Sequence, residues 1–169
     1  SLEVHGCHTY DATGAISPSI CLSATFRHLR FGESTGYDYG RVANPTRESL
    51  EKTVALLERG GRSWALSSGM AAVQLVFSLL SAGDHVLMSE DLYGGTVRLA
   101  EEVFAGYGVT FEYVDVRDLA LVGKRMRSET KLVFIETPSN PMMQIADIAA
   151  LSALAHENGA LLAVDNTFL

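Results

Sequence analysis

The sequence predicts an α/β fold with a mostly parallel sheet flanked by helices. Three observations support this class: short β-rich runs alternate with helical ones, the connections between them are short, and two of the runs are apolar at successive positions. A helix that links strands over such short connections must cross one face of the sheet, which makes the strands parallel. The runs 132–135 and 161–164 are apolar throughout, which indicates that helices cover both faces.

The first predicted helix begins after Asn44, because Asn44-Pro45 joins an N-cap residue to the residue best suited to the first helical position. The segment 70–80 is apolar almost all round, which predicts a helix buried inside the domain. The strands are expected at 63–67, 85–89, 109–114, 131–136 and 161–165, and the helices between them are expected to start near Gly69, Thr96, Asp118 and Asp147.

Residues 1–45 differ from the rest of the chain, because they contain five glycines and no sustained period of 2 or 3.6. An irregular stretch of this length is usually functional, as a lid or as an element that lies on another subunit. Its hydrophobic side chains favour docking. We therefore predict an extended N-terminal arm over 1–45 that contacts a partner subunit, followed by a sheet domain over 46–169.

Composition excludes several classes of protein. The 169 residues are 47% hydrophobic and 20% charged, which is enough to bury a core. Thirteen Lys and Arg against 20 Asp and Glu give a net charge of −7, which argues against a nucleic-acid partner. No segment has the pattern of a signal peptide or a membrane span, so we expect a cytoplasmic protein without a membrane partner. The spacing of His5, Cys7, His8 and Cys21 matches no familiar zinc pattern, so no metal site is expected.

Ligands of an open parallel sheet bind beyond the carboxyl ends of the strands, and the residues that follow the predicted strands are unusual there. The first such place is 67–70, with the sequence Ser-Ser-Gly-Met between a strand and an apolar helix. Free backbone N–H groups and the positive end of the helix dipole suit a phosphate group at this point. An ordinary tight turn with a serine N-cap is the alternative interpretation.

Three further strand ends carry groups that suit a ligand. Tyr93 stands before two glycines, where its ring has room to stack on a planar molecule, and Asn140 stands between two prolines that present its amide rigidly. Asp165 ends a buried strand with no Lys or Arg nearby in the sequence, so a ligand cation would satisfy it. Each has a structural alternative: a loop tyrosine, a stiff turn and a turn-capping aspartate. A ligand with a phosphate, an aromatic ring and a protonated ring nitrogen, such as pyridoxal phosphate, matches all four places.

Five motifs, in this order and spacing, resemble the Cys/Met metabolism family of pyridoxal-phosphate enzymes, which includes the cystathionine γ-synthases, the cystathionine γ- and β-lyases and the O-acylhomoserine sulfhydrylases. The resemblance implies a truncated large domain of the fold type I transferases and pyridoxal 5'-phosphate as cofactor. It also implies γ-replacement or γ/β-elimination on a homoserine ester, cystathionine or a related amino acid, in a homodimer or homotetramer. The motifs lie at 39–46, 67–70, 91–96, 136–141 and 164–168.

The resemblance also implies roles for individual residues. Ser68, Gly69 and Met70 correspond to the backbone cradle of the phosphate group. Tyr93 corresponds to the ring that stacks on the cofactor, and it is the candidate catalytic residue of this chain. Asp165 corresponds to the partner of the protonated ring nitrogen.

Four more residues complete the implied cofactor site. Asn140 would contact the phenolic oxygen of the cofactor or the carboxylate of the substrate, and Thr167 would lie against the cofactor. Tyr39 and Arg41, in the arm, resemble residues that reach the phosphate in the neighbouring subunit.

None of the lysines of the chain, Lys52, Lys124 and Lys131, fits the position of the family's Schiff-base lysine, which follows the Asp-Asn-Thr-Phe motif after a further stretch. The cofactor domain over 46–169 is therefore expected to be incomplete at its C-terminal end, and the 169-residue chain alone is expected to be inactive. A non-catalytic form, truncated or a pseudoenzyme, that keeps the dimerisation arm and part of the cofactor site is the alternative. A nicotinamide-binding domain is disfavoured, because the G-x-G-x-x-G pattern is absent.

Overall fold

The computed structural model describes residues 14–169, so the predictions on His5, Cys7 and His8 lie outside the described residues. Its contacts divide the chain into two compact units. The first ends at Ser67, and the second runs from Ser68 to Leu169.

The described part of the arm, 14–44, contains no helix. Two isolated antiparallel bridges shape it, between Thr25 and Tyr39 and between Arg30 and Glu33. The irregular backbone predicted for this stretch is therefore observed, whereas the contact with a partner subunit stays a prediction.

Helix α1, Pro45–Leu57, begins where the Asn44-Pro45 signal predicts. The side chain of Asn44 accepts hydrogen bonds from the backbone N–H groups of Thr46 and Arg47, which would otherwise lack a partner in the first turn. The helix has 13 residues. Among residues 14–169, no helix has the length and apolar content needed to cross a membrane.

The predicted strand at 63–67 is wrong, because this segment has no regular structure. Its polar groups bind helix α1 instead of a neighbouring strand. The hydroxyl of Ser63 donates to the carbonyl of Glu51 at 2.5 Å, and the N–H of Ala65 donates to the Oε1 of Glu51 at 3.0 Å. A β-rich run forms a strand only where another strand offers its backbone.

The second unit alternates helices and strands as predicted. The short helix Gly94–Arg98 continues into a π-helical turn over Leu99–Phe104 and a 3-10 turn over Ala105–Tyr107. The elements of this unit are α2 (Gly69–Phe77), β1 (His85–Ser89), α3 (Gly94–Arg98), β2 (Thr110–Val114), α4 (Leu119–Arg125), β3 (Thr130–Glu136), α5 (Ile148–Glu157) and β4 (Leu161–Asp165).

The four strands form one sheet in the order β2-β1-β3-β4, and every neighbouring pair is parallel. The predicted fold class is confirmed. In the register of β3 and β4, Glu136 stands beside Asp165. Because all strands run the same way, their carboxyl ends meet at one edge of the sheet.

Helices cover both faces of the sheet, as the apolar strands indicate. Successive strand residues point to opposite faces. Val86 and Met88 therefore pack in one cluster with Phe77 of α2, whereas Leu87 packs in the other with Leu151 of α5. The two clusters hold the sheet rigid behind its carboxyl edge.

The expectation that the segment 70–80 is buried all round is wrong. Only Val73 and Phe77 of α2 are buried, and Leu75 is 45% exposed. Val73 and Phe77 are four residues apart, so they share the face that packs on the sheet. The other apolar face has no covering element among the described residues of this unit, and an apolar pattern alone does not reveal which face of a helix is covered.

Candidate functional site

A cavity of about 440 Å³ opens at the carboxyl edge of the sheet. Seven of the nine residues that the sequence suggests as site residues line it, although no two of their four segments are neighbours in the chain. All lining residues belong to the second unit: Ser68, Gly69, Met70, Val73, Tyr93, Thr96, Glu136, Asn140, Asp165, Thr167 and Phe168.

The other two predicted site residues, Tyr39 and Arg41, belong to the first unit. The guanidinium carbon of Arg41 lies 4.6 Å from the centre of the Tyr39 ring, a cation–π contact between two side chains of the arm. Arg41 is exposed and Tyr39 is half-buried. Their roles toward a neighbouring subunit stay predictions.

The start of α2 provides the anion-binding wall of the cavity. Ser68 is the N-cap, and its hydroxyl oxygen accepts the N–H of Ala71 at 3.1 Å. The N–H groups of Gly69 and Met70 lie in the first turn, where a helix supplies no carbonyl partner, and the helix dipole makes this end positive. The space that a Cβ would occupy at Gly69 is open. An anion therefore has unobstructed access to two or more N–H groups here.

The ring of Tyr93 forms a second wall and is 48% exposed. Tyr93 stands directly before α3. A Cβ at Gly95 would lie 2.5 Å from Cε1 of Tyr93 and 3.0 Å from Sδ of Met70, so only glycine leaves room for the ring in this position. The aromatic face thus lies beside Met70 at the start of α2. Its predicted stacking on a planar ligand stays a prediction.

Two carboxylates, those of Glu136 and Asp165, occupy the ends of neighbouring strands in the cavity wall. Glu136 is 5% exposed. Burial raises the pKa of Glu136, the charges of Asp165 and Asp91 raise it further, and the N–H groups of Tyr93 and Asn140 act in the opposite direction. No lysine or arginine lines the cavity, so its acidic side is open to a ligand cation.

Asp165 also closes a local turn. Its Oδ1 accepts the N–H of Thr167 at 3.1 Å and the hydroxyl of Thr167 at 2.6 Å. The turn-capping alternative is thus realised, and the same carboxylate still lines the cavity. Among residues 14–169, no ion pair involves Asp165.

Asn140 reaches the cavity from the loop that follows β3, and hydrogen bonds to Asp91 connect this loop to the loop that follows β1. The hydroxyl of buried Ser139 donates to Oδ2 of Asp91 at 2.5 Å. The same Oδ2 accepts the N–H of Met142 at 3.0 Å. Asp91 follows β1, so its carboxylate joins the loops after two strands and limits the movement of Asn140.

Four residues of the cavity wall are absent from the sequence-based site: Val73, Thr96, Glu136 and Phe168. Glu136 closes an apolar strand, the same signal that identifies Asp165, so the signal was available at this position. Thr96 is fully buried, and its hydroxyl has no hydrogen-bond partner among the described residues. The sequence indicates Thr96 only as a helix start, because the burial of a hydroxyl depends on the packing around it.

The three lysines lie on other parts of the fold. Lys52 is on α1, Lys124 is on α4, and Lys131 is near the amino end of β3. None of them lines the cavity.

A parallel sheet whose carboxyl edge brings together a helix start, an aromatic ring and two carboxylates is typical of a ligand-binding α/β domain. The chain belongs to the Cys/Met metabolism PLP-dependent enzyme family, which it matches over residues 1–169. The resemblance stated from the five motifs is therefore confirmed, and the cofactor of the family is pyridoxal 5'-phosphate.

Several characterised proteins are similar to the chain. It is 48% identical over 163 residues to the cystathionine gamma-synthase/O-acetylhomoserine (thiol)-lyase of Bacillus subtilis (strain 168), covering 96% of this chain and 44% of that protein. It is 44% identical over 165 residues to the cystathionine gamma-synthase of Haemophilus influenzae, covering 97% of this chain and 45% of the relative.

A solved structure agrees with the sequence comparison. The crystal structure of cystathionine gamma-lyase from Lactobacillus plantarum complexed with L-serine has a TM-score of 0.93 and 45% sequence identity, covering 99% of this chain and 44% of that one. The chain thus spans less than half the length of each of these proteins.

The residues of the cavity fit the family's cofactor. The open N–H groups of α2 suit its phosphate, the face of Tyr93 suits its aromatic ring, and the carboxylates without a basic partner suit its protonated ring nitrogen. Three parts of the cofactor, namely its phosphate, its ring and its ring nitrogen, would therefore have a complementary group in this unit, whereas no lysine lines the cavity for its aldehyde.

Proposed function

We propose that this chain holds pyridoxal 5'-phosphate in the cavity of its second unit and serves an enzyme of sulfur amino-acid metabolism. One observation carries the proposal: an anion-binding helix start, an exposed aromatic ring and an unpaired strand-end carboxylate line the same cavity. Bound pyridoxal phosphate supplies an electron sink for charge that develops at the α carbon of an amino acid.

The residues of the chain then have distinct tasks. The N–H groups of Gly69 and Met70 bind the phosphate, and the ring of Tyr93 stacks on the cofactor ring. The Asp165 carboxylate keeps the ring nitrogen protonated. Thr167 orients that carboxylate through the 2.6 Å hydrogen bond from its hydroxyl.

Asn140 and Tyr93 face the region where a substrate would lie. The amide of Asn140 both donates and accepts, so it suits the phenolic oxygen of the cofactor or the carboxylate of an amino acid. The phenol of Tyr93 is a candidate for proton transfer at the substrate.

We propose a transsulfuration reaction, namely γ-replacement or γ/β-elimination on a homoserine ester, cystathionine or a related amino acid. The support is the set of similar proteins, whose names are cystathionine synthases and lyases. A non-catalytic form, truncated or a pseudoenzyme, that retains only the dimerisation arm and part of the cofactor site is the second candidate, and the lack of a lysine in the cavity wall is consistent with it. The cytoplasmic location suggested by the composition is part of the same proposal.

The proposed site predicts saturable binding of pyridoxal phosphate, with one equivalent of the cofactor bound to each chain. Spectrophotometric titration measures it. Pyridoxal, which lacks the phosphate, is the matched ligand and is expected to bind at least about tenfold more weakly, because it cannot use the charge-assisted hydrogen bonds at α2. Equal affinity for the two ligands, or titration without saturation, would exclude the proposed phosphate position.

Two further measurements test the expectation that this chain alone is inactive. Borohydride reduction followed by peptide mass spectrometry is expected to leave Lys52, Lys124 and Lys131 without a stoichiometric cofactor adduct. Incubation of the cofactor-bound protein with cystathionine, monitored for released thiol and keto acid, tests for turnover. Turnover, or a stoichiometric adduct on one of these lysines, would contradict that expectation.

We propose further that the chain forms a homodimer or homotetramer in which residues 1–45 contact the neighbouring subunit and Tyr39 and Arg41 reach its phosphate site. Apolar side chains of the arm are exposed within the single chain, with Leu22 91% exposed and Phe31 fully exposed. Such side chains support the proposal that a neighbouring subunit covers this surface.

This arrangement predicts a dimer or larger species in sedimentation velocity at micromolar concentration. Arg41→Ala is expected to weaken binding of pyridoxal phosphate about tenfold, because a charged phosphate contact is lost. Arg30→Ala, which removes another exposed arginine of the arm, is the control and should leave the dissociation constant unchanged. A purely monomeric protein would contradict the arrangement.

A further inference from the structure

Glu136 ends β3 with its side chain buried in the cavity wall, 5% exposed. Its Oε2 accepts the backbone N–H of Tyr93 at 2.7 Å. The backbone N–H of Asn140 lies near enough to lower the pKa of this carboxylate. Tyr93 precedes α3, so the carboxylate at the end of β3 holds the backbone at the start of that helix.

The position is an unfavourable one for an acid. Asp165 stands beside Glu136 in the sheet register, the charge of Asp91 also acts on it, and no basic side chain among residues 14–169 lines the cavity. A buried carboxylate without a counter-ion is strongly unfavourable unless hydrogen-bond donors satisfy it. The backbone N–H of Tyr93 is such a donor.

The ring of Tyr93 has little freedom to adjust if its backbone moves. A Cβ at Gly95 would already meet this ring at 2.5 Å and Met70 Sδ at 3.0 Å, so the ring, the start of α3 and the start of α2 are packed closely. A shift of the Tyr93 backbone would therefore displace the aromatic face from the wall of the cavity.

We propose that Glu136 is a positioning residue, which holds the ring of Tyr93 in place against the cofactor through the backbone of that residue. The role rests on the proposed function, because it assumes that pyridoxal phosphate binds against this ring. Glu136 itself touches backbone atoms and does not take part in the reaction.

The test compares Glu136→Gln and Glu136→Ala with the control Glu90→Gln. Glu90 directly follows β1 and is exposed outside the cavity, so its substitution changes the net charge equally. Glutamine keeps an acceptor oxygen for the N–H of Tyr93 but removes the charge, whereas alanine removes both. Affinity for pyridoxal phosphate is expected to fall about tenfold in Glu136→Gln and further in Glu136→Ala, and to stay within about twofold of the original in Glu90→Gln.

A second readout follows the backbone without any ligand. In ¹H–¹⁵N NMR spectra, the amide of Tyr93 is expected to titrate with the carboxylate that accepts it, with a midpoint above the usual pKa of a glutamate, because burial raises the pKa of Glu136. The titration should vanish in Glu136→Gln and persist in Glu90→Gln. If Glu136→Ala does not fold, Glu136→Gln and the pH titration carry the test.

The outcomes separate this role from the proposed function. Unchanged cofactor affinity in Glu136→Gln, or a Tyr93 amide that does not titrate, would overturn the positioning role even if the unaltered protein binds pyridoxal phosphate. If the unaltered protein does not bind the cofactor while the Tyr93 amide titrates as described, the proposed function fails and the hold of Glu136 on Tyr93 stands.

Discussion

Replacement of Asp165 by asparagine is expected to weaken binding of pyridoxal phosphate by about 30- to 100-fold, which corresponds to about 2–3 kcal/mol. Asparagine has nearly the same shape and can still accept hydrogen bonds from Thr167 through its side-chain oxygen. The negative charge that faces the ring nitrogen is lost. Because the turn survives, the loss of affinity reports on charge and not on local unfolding.

The matched control is Asp115→Asn. Asp115 follows β2 at the same edge of the sheet, is paired with Arg117 at 2.7 Å, and does not line the cavity. Its substitution removes the same charge and should leave the dissociation constant within about twofold, because a surface ion pair contributes little. Spectrophotometric titration of both variants is sufficient. Unaltered affinity in Asp165→Asn, or an equal loss in both, would refute the assignment of Asp165.

Substitution of Phe77 by alanine is expected to lower the free energy of unfolding by about 3–5 kcal/mol, the range for deletion of a buried aromatic ring. Phe77 is fully buried. Its ring centre lies 5.4 Å from that of Phe104, 5.6 Å from that of Phe111 and 5.5 Å from that of Phe134, so one ring joins α2 to the sheet and to the turn after α3.

Leu75→Ala is the control for Phe77→Ala, because Leu75 lies on the same helix and is 45% exposed. Truncation of the Leu75 side chain to alanine should change the free energy of unfolding by less than about 1 kcal/mol. Urea unfolding monitored by circular dichroism measures both variants. A Phe77→Ala midpoint equal to that of the unaltered protein would show that this face of α2 does not stabilise the unit.

Two expectations about structure failed for the same physical reason. The run 63–67 has the composition of a strand, and the segment 70–80 has the composition of a buried helix. Strand formation and burial both depend on a neighbouring element, which local pattern does not specify. In the structure, Glu51 takes the polar groups of 63–67 and only the Val73–Phe77 face of α2 is covered.

Some residues of the cavity can be predicted from the sequence, whereas others cannot. Tyr93, Asn140 and Asp165 were identifiable because residues that follow parallel strands share one edge of the sheet, a rule that needs only strand positions. Glu136, like Asp165, is an acidic residue at the end of an apolar strand, but it is not among the predicted site residues. Its link to the N–H of Tyr93 joins residues 43 positions apart, and no sequence spacing indicates such a contact.

The sequence by itself determined the class of fold, the parallel sheet, the family and most of the residues of the cavity. These follow from periodicity, cap residues and motif order, which act over a few residues at a time. Only the tertiary structure decided which helix face is buried, that Glu136 and Asp165 share a register, and that Gly95 leaves room for Tyr93. The reason is that burial, electrostatic environment and steric room are set by atoms brought together from distant parts of the chain.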